Sequence, residues 1–597
     1  MKKKVLISII ILLTIAIGVT SGLLVKKYLS RDNTKIIDIG KLQYRDSKEK
    51  LKVYEKKDYK KFLEDFKNNK LDDVYVTKFL YDGVGTYKAY DLDDFVEKGN
   101  DLEVDEYDGT VINVKNIGNY EFVGELTGGM IAVNTNNLKG NIKLTFNSAK
   151  VDTDSKKVPA LYVYNKNMLY TDCKVTVSAE DGTKNYLEGG KFKKVSLVPI
   201  EELSNYNDKY SGDLLNKYNT YTNYYGIYKK NAIKNILFAT VTANRDDLQD
   251  GDPYYYYKGS GAISSDIDLE FKGSGYLEVT SKNKEGIETK GNLKFSGGIG
   301  DYVINAEDDC LNTTIDDTEM ENARNDLAIN VKSLIAKVDP EADEGDAIDS
   351  NGTLKINGGV IVALAKHGAD SGLDSEKGTY INGGTVLATG SMMDPINENS
   401  KQKFVALTFN SNMEKDSLVT LLLNDEVVFA FKSDRVYNSL IFSSSKLRNN
   451  TYTLYKDGSI DGDNKAGLYT SGTYTKGTQL GYSSTGNNAN GPGGGQPPAD
   501  SNNGNQSAPP NNDNQTAPPE KPEGETPQGD PPEKPDGENG EAPEKPEGEA
   551  PQGGETPPQP PTDNGQPQAD GGNIPSNKEF KITGIANYFK GIGNLVS

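Results

Sequence analysis

The chain has no tryptophan, one histidine (His367) and two cysteines (Cys173 and Cys310) among 597 residues. Two cysteines make no disulfide framework, and Cys310 fills a small-residue slot of a repeated turn. A single histidine removes Ser-His nucleophile designs and most histidine-ligated metal hydrolases. Without tryptophan, any flat sugar platform has to come from the 35 tyrosines. Apolar residues reach only 35 %, and 67 basic residues face 87 acidic ones, for a net charge of −20. That balance argues against nucleic acid as a partner and for solubility and cation binding.

Long hydrophobic runs are also scarce. The clear one is Val5 to Val25, 21 residues without charge, flanked by Lys2, Lys3 and Lys4 and by Lys26, Lys27 and Arg31. That is enough to span a bilayer. Val19-Thr20-Ser21 makes a poor cleavage site, with Leu23, Leu24 and Val25 still apolar after it. The reading favours an uncleaved signal anchor over a cleaved signal peptide. Either way the remainder is exported: a single-pass cell-membrane protein with an extracellular domain, or a secreted one.

What is abundant is a repeat. Its tightest element is Glu285-Gly286-Ile287-Glu288, then Asp309-Cys310-Leu311-Asn312, Asp346-Ala347-Ile348-Asp349 and Asp370-Ser371-Gly372-Leu373-Asp374. An earlier copy, Gly261-Ala262-Ile263-Ser264, lacks the acids. The anchors step by 24 (263 to 287), 24 (to 311), 37 (to 348) and 25 (to 373). A second element follows the acidic turn: Leu354 to Ala363, reading LKINGGVIVA, and Thr379 to Ala388, reading TYINGGTVLA. Apolar residues alternate with period two and are β-branched or aromatic, a strand signal, and Gly-Gly supplies positive φ at a corner. A fixed period with short strands predicts a stacked solenoid, specifically a right-handed parallel β-helix. Ile356 should stack on Ile381, and Asn357 on Asn382.

The remaining segments follow by composition. Residues 1–31 read as the anchor, and 32–105 as a membrane-proximal spacer or cap. The β-helix spans 106–403, interrupted by a tyrosine-rich insertion at 195–258, with final coils or a β cap at 404–483. Of 26 prolines, 21 lie beyond Gly491, among Glu-Lys-Pro repeats starting at Glu520, Glu533 and Glu544. Such a stretch buries no core, so 484–577 reads as a disordered spacer. The last residues, 578–597, are amphipathic through Ile582, Ile585, Phe589, Ile592 and Val596: a membrane- or wall-touching segment or a frayed tail.

From Tyr120 to about Met393 the chain resembles the secreted bacterial carbohydrate-binding β-helix family, whose fold is like that of pectate lyases. The resemblance rests on Tyr120 to Leu126 (YEFVGEL), Gly259 to Ser265 (GSGAISS), Gly345 to Ser350 (GDAIDS), Leu354 to Gly359 and Tyr380 to Gly384. It implies calcium held between coils and binding of cellulose or polygalacturonate. The chain departs from the pattern in its two insertions, at 195–258 and 312–326, and in the missing acids of the Ile263 turn.

The acidic turns place Glu285, Asp309, Asp346 and Asp370 in one slot and Glu288, Asn312, Asp349 and Asp374 in another, with Asp308 beside them. Oxygen donors in this number suit Ca²⁺. Tyr254, Tyr255, Tyr256 and Tyr257 are candidates for stacking on sugar rings. The expected function is calcium-dependent, non-catalytic binding of a plant-wall or bacterial envelope polysaccharide. A pectate-lyase-like enzyme would need a base beside calcium, for which Arg324, Lys366 and His367 are the nearby groups. A structural adhesin or envelope protein is the remaining alternative.

Overall fold

The computed structural model describes residues 34–79, 109–154, 158–165, 171–190, 261–282, 284–314, 325–486 and 575–595. It also gives the backbone of short strands at Val195–Pro199, Ile227–Tyr228, Leu237–Val241 and Tyr255–Tyr256. The Val5 to Val25 run and residues 487–574 lie outside the described residues. Among those described, no helix is long and apolar enough to cross a membrane.

Strands stack into three ladders. The first takes Thr34–Asp38, Gly118–Thr127, Lys139–Asp152, Asp172–Ala179, Leu269–Gly273, Leu293–Phe295, Leu327–Val338, Leu354–Leu364 and Thr379–Ile381. The second takes the later halves of the long strands with Lys184–Gly189, Tyr276–Ser281, Asp301–Ala306 and Thr385–Gly390. The third runs through Thr110–Val114, Gly129–Asn134, Leu161–Tyr164, Ile263–Ser265, Ile287–Thr289, Leu311–Thr313 and Ile348–Ser350. All these pairings are parallel. Their register is that of the repeat: Ile263 faces Ile287, Ile287 faces Leu311, and Leu311 faces Ile348.

The expectation of an open right-handed β-helix solenoid is corrected here. Eight parallel strands close into a barrel-like ring of pairings. The ring runs from Lys139–Asp152 through Asp172–Ala179, Leu269–Gly273 and Leu293–Phe295 to Leu327–Val338. It returns through Asp301–Ala306, Tyr276–Ser281 and Lys184–Gly189 to Lys139–Asp152. Two long strands cause the closure. Lys139–Asp152 and Leu327–Val338 each continue through a corner and pair on both sides of it. Period-two alternation reports which face a residue takes, but not whether a strand breaks or bends at the corner. In Leu354–Leu364 the bend falls at Gly359, at φ +107°. A Cβ there would sit 2.4 Å from the Val331 carbonyl oxygen, so only glycine fits.

The interior is built from like residues stacked over like. Leu269, Leu293, Leu327 and Leu354 form one row, and Phe271, Phe295, Ile329, Ile356 and Ile381 the next. All are buried in one cluster that draws on all three ladders. The Phe271 and Phe295 rings stack 4.8 Å apart at 14°. At the corner, the Asn382 Nδ2 donates to Asn357 Oδ1 at 3.0 Å.

Both ends differ from a plain spacer. Thr34–Asp38 pairs in parallel with Gly118–Thr127, so the N-terminal segment supplies an edge strand, capped by the antiparallel Gln43–Tyr44. Helix Tyr59–Lys67 follows, with Phe62 packed on Tyr54, Tyr75 and Phe79. Residues 404–482 form antiparallel strands whose core packs on Val362, Leu364 and Leu387 of the second ladder. Buried Arg435 donates to the carbonyls of Val338 and Leu364, tying these strands to that ladder. The C-terminal stretch is no surface tail. Phe580–Ile582 and Ala586–Asn594 are strands, and Phe580, Ile582, Phe589 and Ile592 are buried.

Truncating one member of the stacked aromatic row tests this interior. Phe295→Ala should lower unfolding stability by about 3–5 kcal/mol, read by chemical denaturation, because neighbours fixed by strand pairing relax little around the cavity. A loss below about 1 kcal/mol would mean the row does not pack as described.

Candidate functional site

The acidic residues collect along the third ladder and the turn that precedes it. In the strands, Ser264, Glu288, Asn312 and Asp349 stand in register, each beside the next across the ladder. In the turn, backbone bonds align Glu285, Asp309 and Asp346. Ala262 N donates to Glu285 O (3.0 Å), Gly286 N to Asp309 O (2.8 Å) and Cys310 N to Asp346 O (3.2 Å). In the next coil Ala347 N bonds Ser371 O, so Ser371 and not Asp370 takes the aligned slot. Asp370 instead accepts Ser391 N and Met392 N on its carbonyl, as a turn residue.

Parallel pairing sets neighbouring strands about 4.8 Å apart, so this register brings carboxylates close. Ligand oxygens of Asp346, Asp349 and Asp374 lie within 4.8 Å of one another. Two lysines answer part of the charge: Lys284 Nζ bonds Asp308 at 2.5 Å, and Lys290 Nζ bonds Glu288 at 3.0 Å. Asp309 spends its oxygens on Asp346 N (2.8 Å) and Asn312 Nδ2 (2.5 Å). Asp346 accepts Ser371 N at 2.5 Å. Among the described residues, two buried oxygens of this column have no hydrogen-bond partner, Glu285 Oε2 and Asn312 Oδ1.

The electrostatic consequence is large. Burial, then the charge of Glu288, pushes the Glu285 carboxyl up to about 8. Burial raises Asp349 to about 8, with Asp309 and Asp374 adding to it. Asp346 also rises to about 8, chiefly by burial, against the Ser371 amide and with Asp374, Asp349 and Asp370. Asp309 is held well above the usual carboxylate range, again by burial first and then by Asp308 and Asp346. A fifth group escaped the sequence pattern. Asp394 is pushed to about 8 by burial and by its bond with Asp374, and it accepts Ser375 N at 3.4 Å. It sits in Ser391-Met392-Met393-Asp394, which lacks the small-apolar core of the repeated turn. Only the proximity of the Asp374 turn gives it away.

The other candidates are not gathered here. Tyr255 and Tyr256 form a short backbone strand paired with Ser196 and Val195. Tyr254, Tyr257 and all four side chains lie outside the described residues, as does Arg324. His367 is exposed, and Lys366 Nζ bonds the Asp343 carbonyl.

Residues 108–198 and 220–415 match the model of a family described as carbohydrate-binding domain-containing protein. The matched stretch is a little under half of the chain. No curated protein matches it. One similar solved structure is described as the polysaccharide lyase-like protein from C. thermocellum, a gadolinium derivative. It shares 16 % identity over 50 % of this chain and 95 % of that one, with a TM-score of 0.22.

The raised carboxyls set a pH dependence whose sign is definite. A free carboxyl titrates near 4, so between roughly pH 4 and pH 8 the folded protein holds protons that the unfolded chain has lost. Stability in chelator is therefore greatest below that window and falls as pH rises through about 8. The melting temperature in chelator should drop by roughly 5 °C or more from pH 5 to pH 8.5. Asp346→Asn with Asp349→Asn should flatten that slope in thermal melts. A flat profile in the unmodified protein would show these acids to be solvated.

Proposed function

We propose that this protein binds polysaccharide outside the cell without cleaving it, and that Ca²⁺ bound by the acidic ladder supports the binding body. The family match supports the polysaccharide part. The single observation that supports the cation is the pair of partnerless buried oxygens, Glu285 Oε2 and Asn312 Oδ1, within a column of crowded carboxylates. The donor set is all oxygen, as a hard cation with six to eight ligands requires. Glu285, Glu288, Asp308, Asp309 and Asn312 would serve one end of the column, and Asp346, Asp349, Asp374 and Asp394 the other. Asp370 lies off the aligned slot. Bound Ca²⁺ would supply positive charge that turns repulsion between neighbouring strands and turns into a cross-link. The chain's own residues fix the oxygens through strand register and through the Asp309 and Asp346 amide bonds.

The polysaccharide is a component of the surroundings at the cell surface, reached from a body tethered through the Val5 to Val25 run. Incubation with polygalacturonate and Ca²⁺ should give no rise in unsaturated-product absorbance; a rise lost in Arg324→Ala would convert the reading to a lyase.

Calcium at 100 times its dissociation constant should add about 2.7 kcal/mol per site. The expected result is a rise in melting temperature with Ca²⁺ that Mg²⁺ does not reproduce and that Asp346→Asn with Asp349→Asn reduces. Because the carboxyls must lose protons to bind, the rise should grow from pH 6 to pH 8.5. Identical melts in Ca²⁺ and in chelator at pH 8.5 would remove calcium from this reading. Failure to bind any member of a glycan panel would remove polysaccharide.

A further inference from the structure

The acidic column occupies the third ladder. A separate trough of about 960 Å³ lies on the outer face of the first ladder, across strands Lys139–Asp152, Asp172–Ala179, Leu269–Gly273 and Leu293–Phe295. Its floor is one in-register row: Lys143 faces Thr176, Thr176 faces Glu270, and Glu270 faces Lys294. The row alternates hydrogen-bond donors and acceptors at the strand spacing of about 4.8 Å, the scale of one sugar ring. Lys174 and Lys272 flank it.

Within the floor, Glu270 is held in place. Glu270 binds Lys272 Nζ at 2.7 Å and Lys294 Nζ at 3.5 Å, and accepts Ser296 Oγ at 2.8 Å. These bonds keep its carboxyl below the usual range despite partial burial. On one rim, Asp268 accepts Asn292 N at 2.8 Å and Asp326 accepts Thr353 N at 3.0 Å. On the other, Asp181 accepts Ser274 Oγ at 2.9 Å, next to Glu180. Among the described residues, four lysines thus meet five carboxylates, a near balance. A polyanion would meet the rims and a polycation the floor. Alternating donors and acceptors instead match a chain of uncharged hydroxyls. Among the described residues, no aromatic ring lines the trough.

We infer that this first-ladder trough is the polysaccharide-binding face, and that it takes a single soluble strand of a neutral linear glycan by hydrogen bonding, apart from the acidic column. The inference rests on the polysaccharide-binding reading and adds the face and the ligand class. Binding is enthalpic in character and falls when a donor or acceptor of the floor is removed, since its partner is left unpaired.

The test is calorimetry on the full chain, with cellohexaose and laminarihexaose as neutral strands and polygalacturonate as the acidic one. At least one neutral hexamer should bind, and Lys143→Ala with Lys294→Ala should weaken it tenfold or more. Glu270→Gln, which keeps the size of the side chain, should do the same. The rise in melting temperature with Ca²⁺ should stay unchanged in both variants, the melting temperature itself falling by no more than a few degrees for the lost surface ion pairs, and Asp346→Asn with Asp349→Asn should leave the affinity intact at temperatures well below melting. Undiminished affinity in both trough variants would overturn the placement and leave polysaccharide binding standing. Binding of polygalacturonate alone would overturn the ligand class. Absence of binding to every glycan would overturn the inference together with the proposed function.

Discussion

In-register parallel pairing is the constraint on which the rest of this structure depends. It sets each residue about 4.8 Å from its counterpart in the next coil, on the same face. For apolar positions this is favourable: leucine lies on leucine, Phe271 on Phe295, and each fully buried side chain contributes about 1.5–3 kcal/mol. For asparagine it is also favourable, since an amide both donates and accepts, as Asn382 and Asn357 show. For carboxylates it is not. Two charges about 5 Å apart repel by roughly 3 kcal/mol at an effective dielectric near 20. The third ladder meets this in three ways: lysines at Asp308 and Glu288, amide bonds to Asp309 and Asp346, and carboxyls that keep their protons up to about pH 8. None of these satisfies Glu285 Oε2 or Asn312 Oδ1.

The repeat was legible because spacing and register are the same quantity in such a stack. Steps of 24 residues gave the partners Ile263, Ile287 and Leu311, and the insertion before Ile348 changed the step without changing the partner. What spacing does not carry is how a strand behaves at a corner, so the closed ring through Lys139–Asp152 and Leu327–Val338 was not legible. Nor was the edge strand Thr34–Asp38, which has no repeat of its own and joins by pairing with Gly118–Thr127. In the site the misses have the same origin. Asp370 fits the motif by letter but its turn carries one more residue, which moves Ser371 into the slot. Asp394 fits no motif and arrives because the chain turns back beside Asp374.

Charge on this body is sorted by ladder. Carboxylates gather along the later strands of the third ladder and their turns, from Glu285 to Asp394, while the outer face of the first ladder alternates lysine with glutamate and threonine. The sorting follows from the repeat. A turn that recurs with an acid places that acid on one side, as Glu285, Asp309 and Asp346 show. A strand whose outward position varies between coils, Lys143, Thr176, Glu270 and Lys294, yields a mixed row instead. The one column is strongly repulsive until cations or protons fill it. The other is nearly neutral and already cross-paired.

The same accounting explains why a chain so poor in apolar residues at its C-terminal end still returns to the body. The proline-rich composition of 487–574 offers almost nothing to bury. Yet Tyr482 N bonds Asn577 O at 2.9 Å, and Ala586–Asn594 pairs with Phe404–Met413, Thr473–Gly481 and Ser484–Thr485. The chain therefore leaves and rejoins the body at one place. For a flexible segment of that length, closure entropy is on the order of 4 kcal/mol and grows by only about 0.6 kcal/mol with each doubling. Against it stand Phe580, Ile582, Phe589 and Ile592, each contributing about 1.5–3 kcal/mol on burial, and Tyr588, whose hydroxyl bonds the Ile396 backbone. Burial outweighs closure. Fixing the strand backbone costs part of the difference, which the ladder bonds on both edges of Ala586–Asn594 offset.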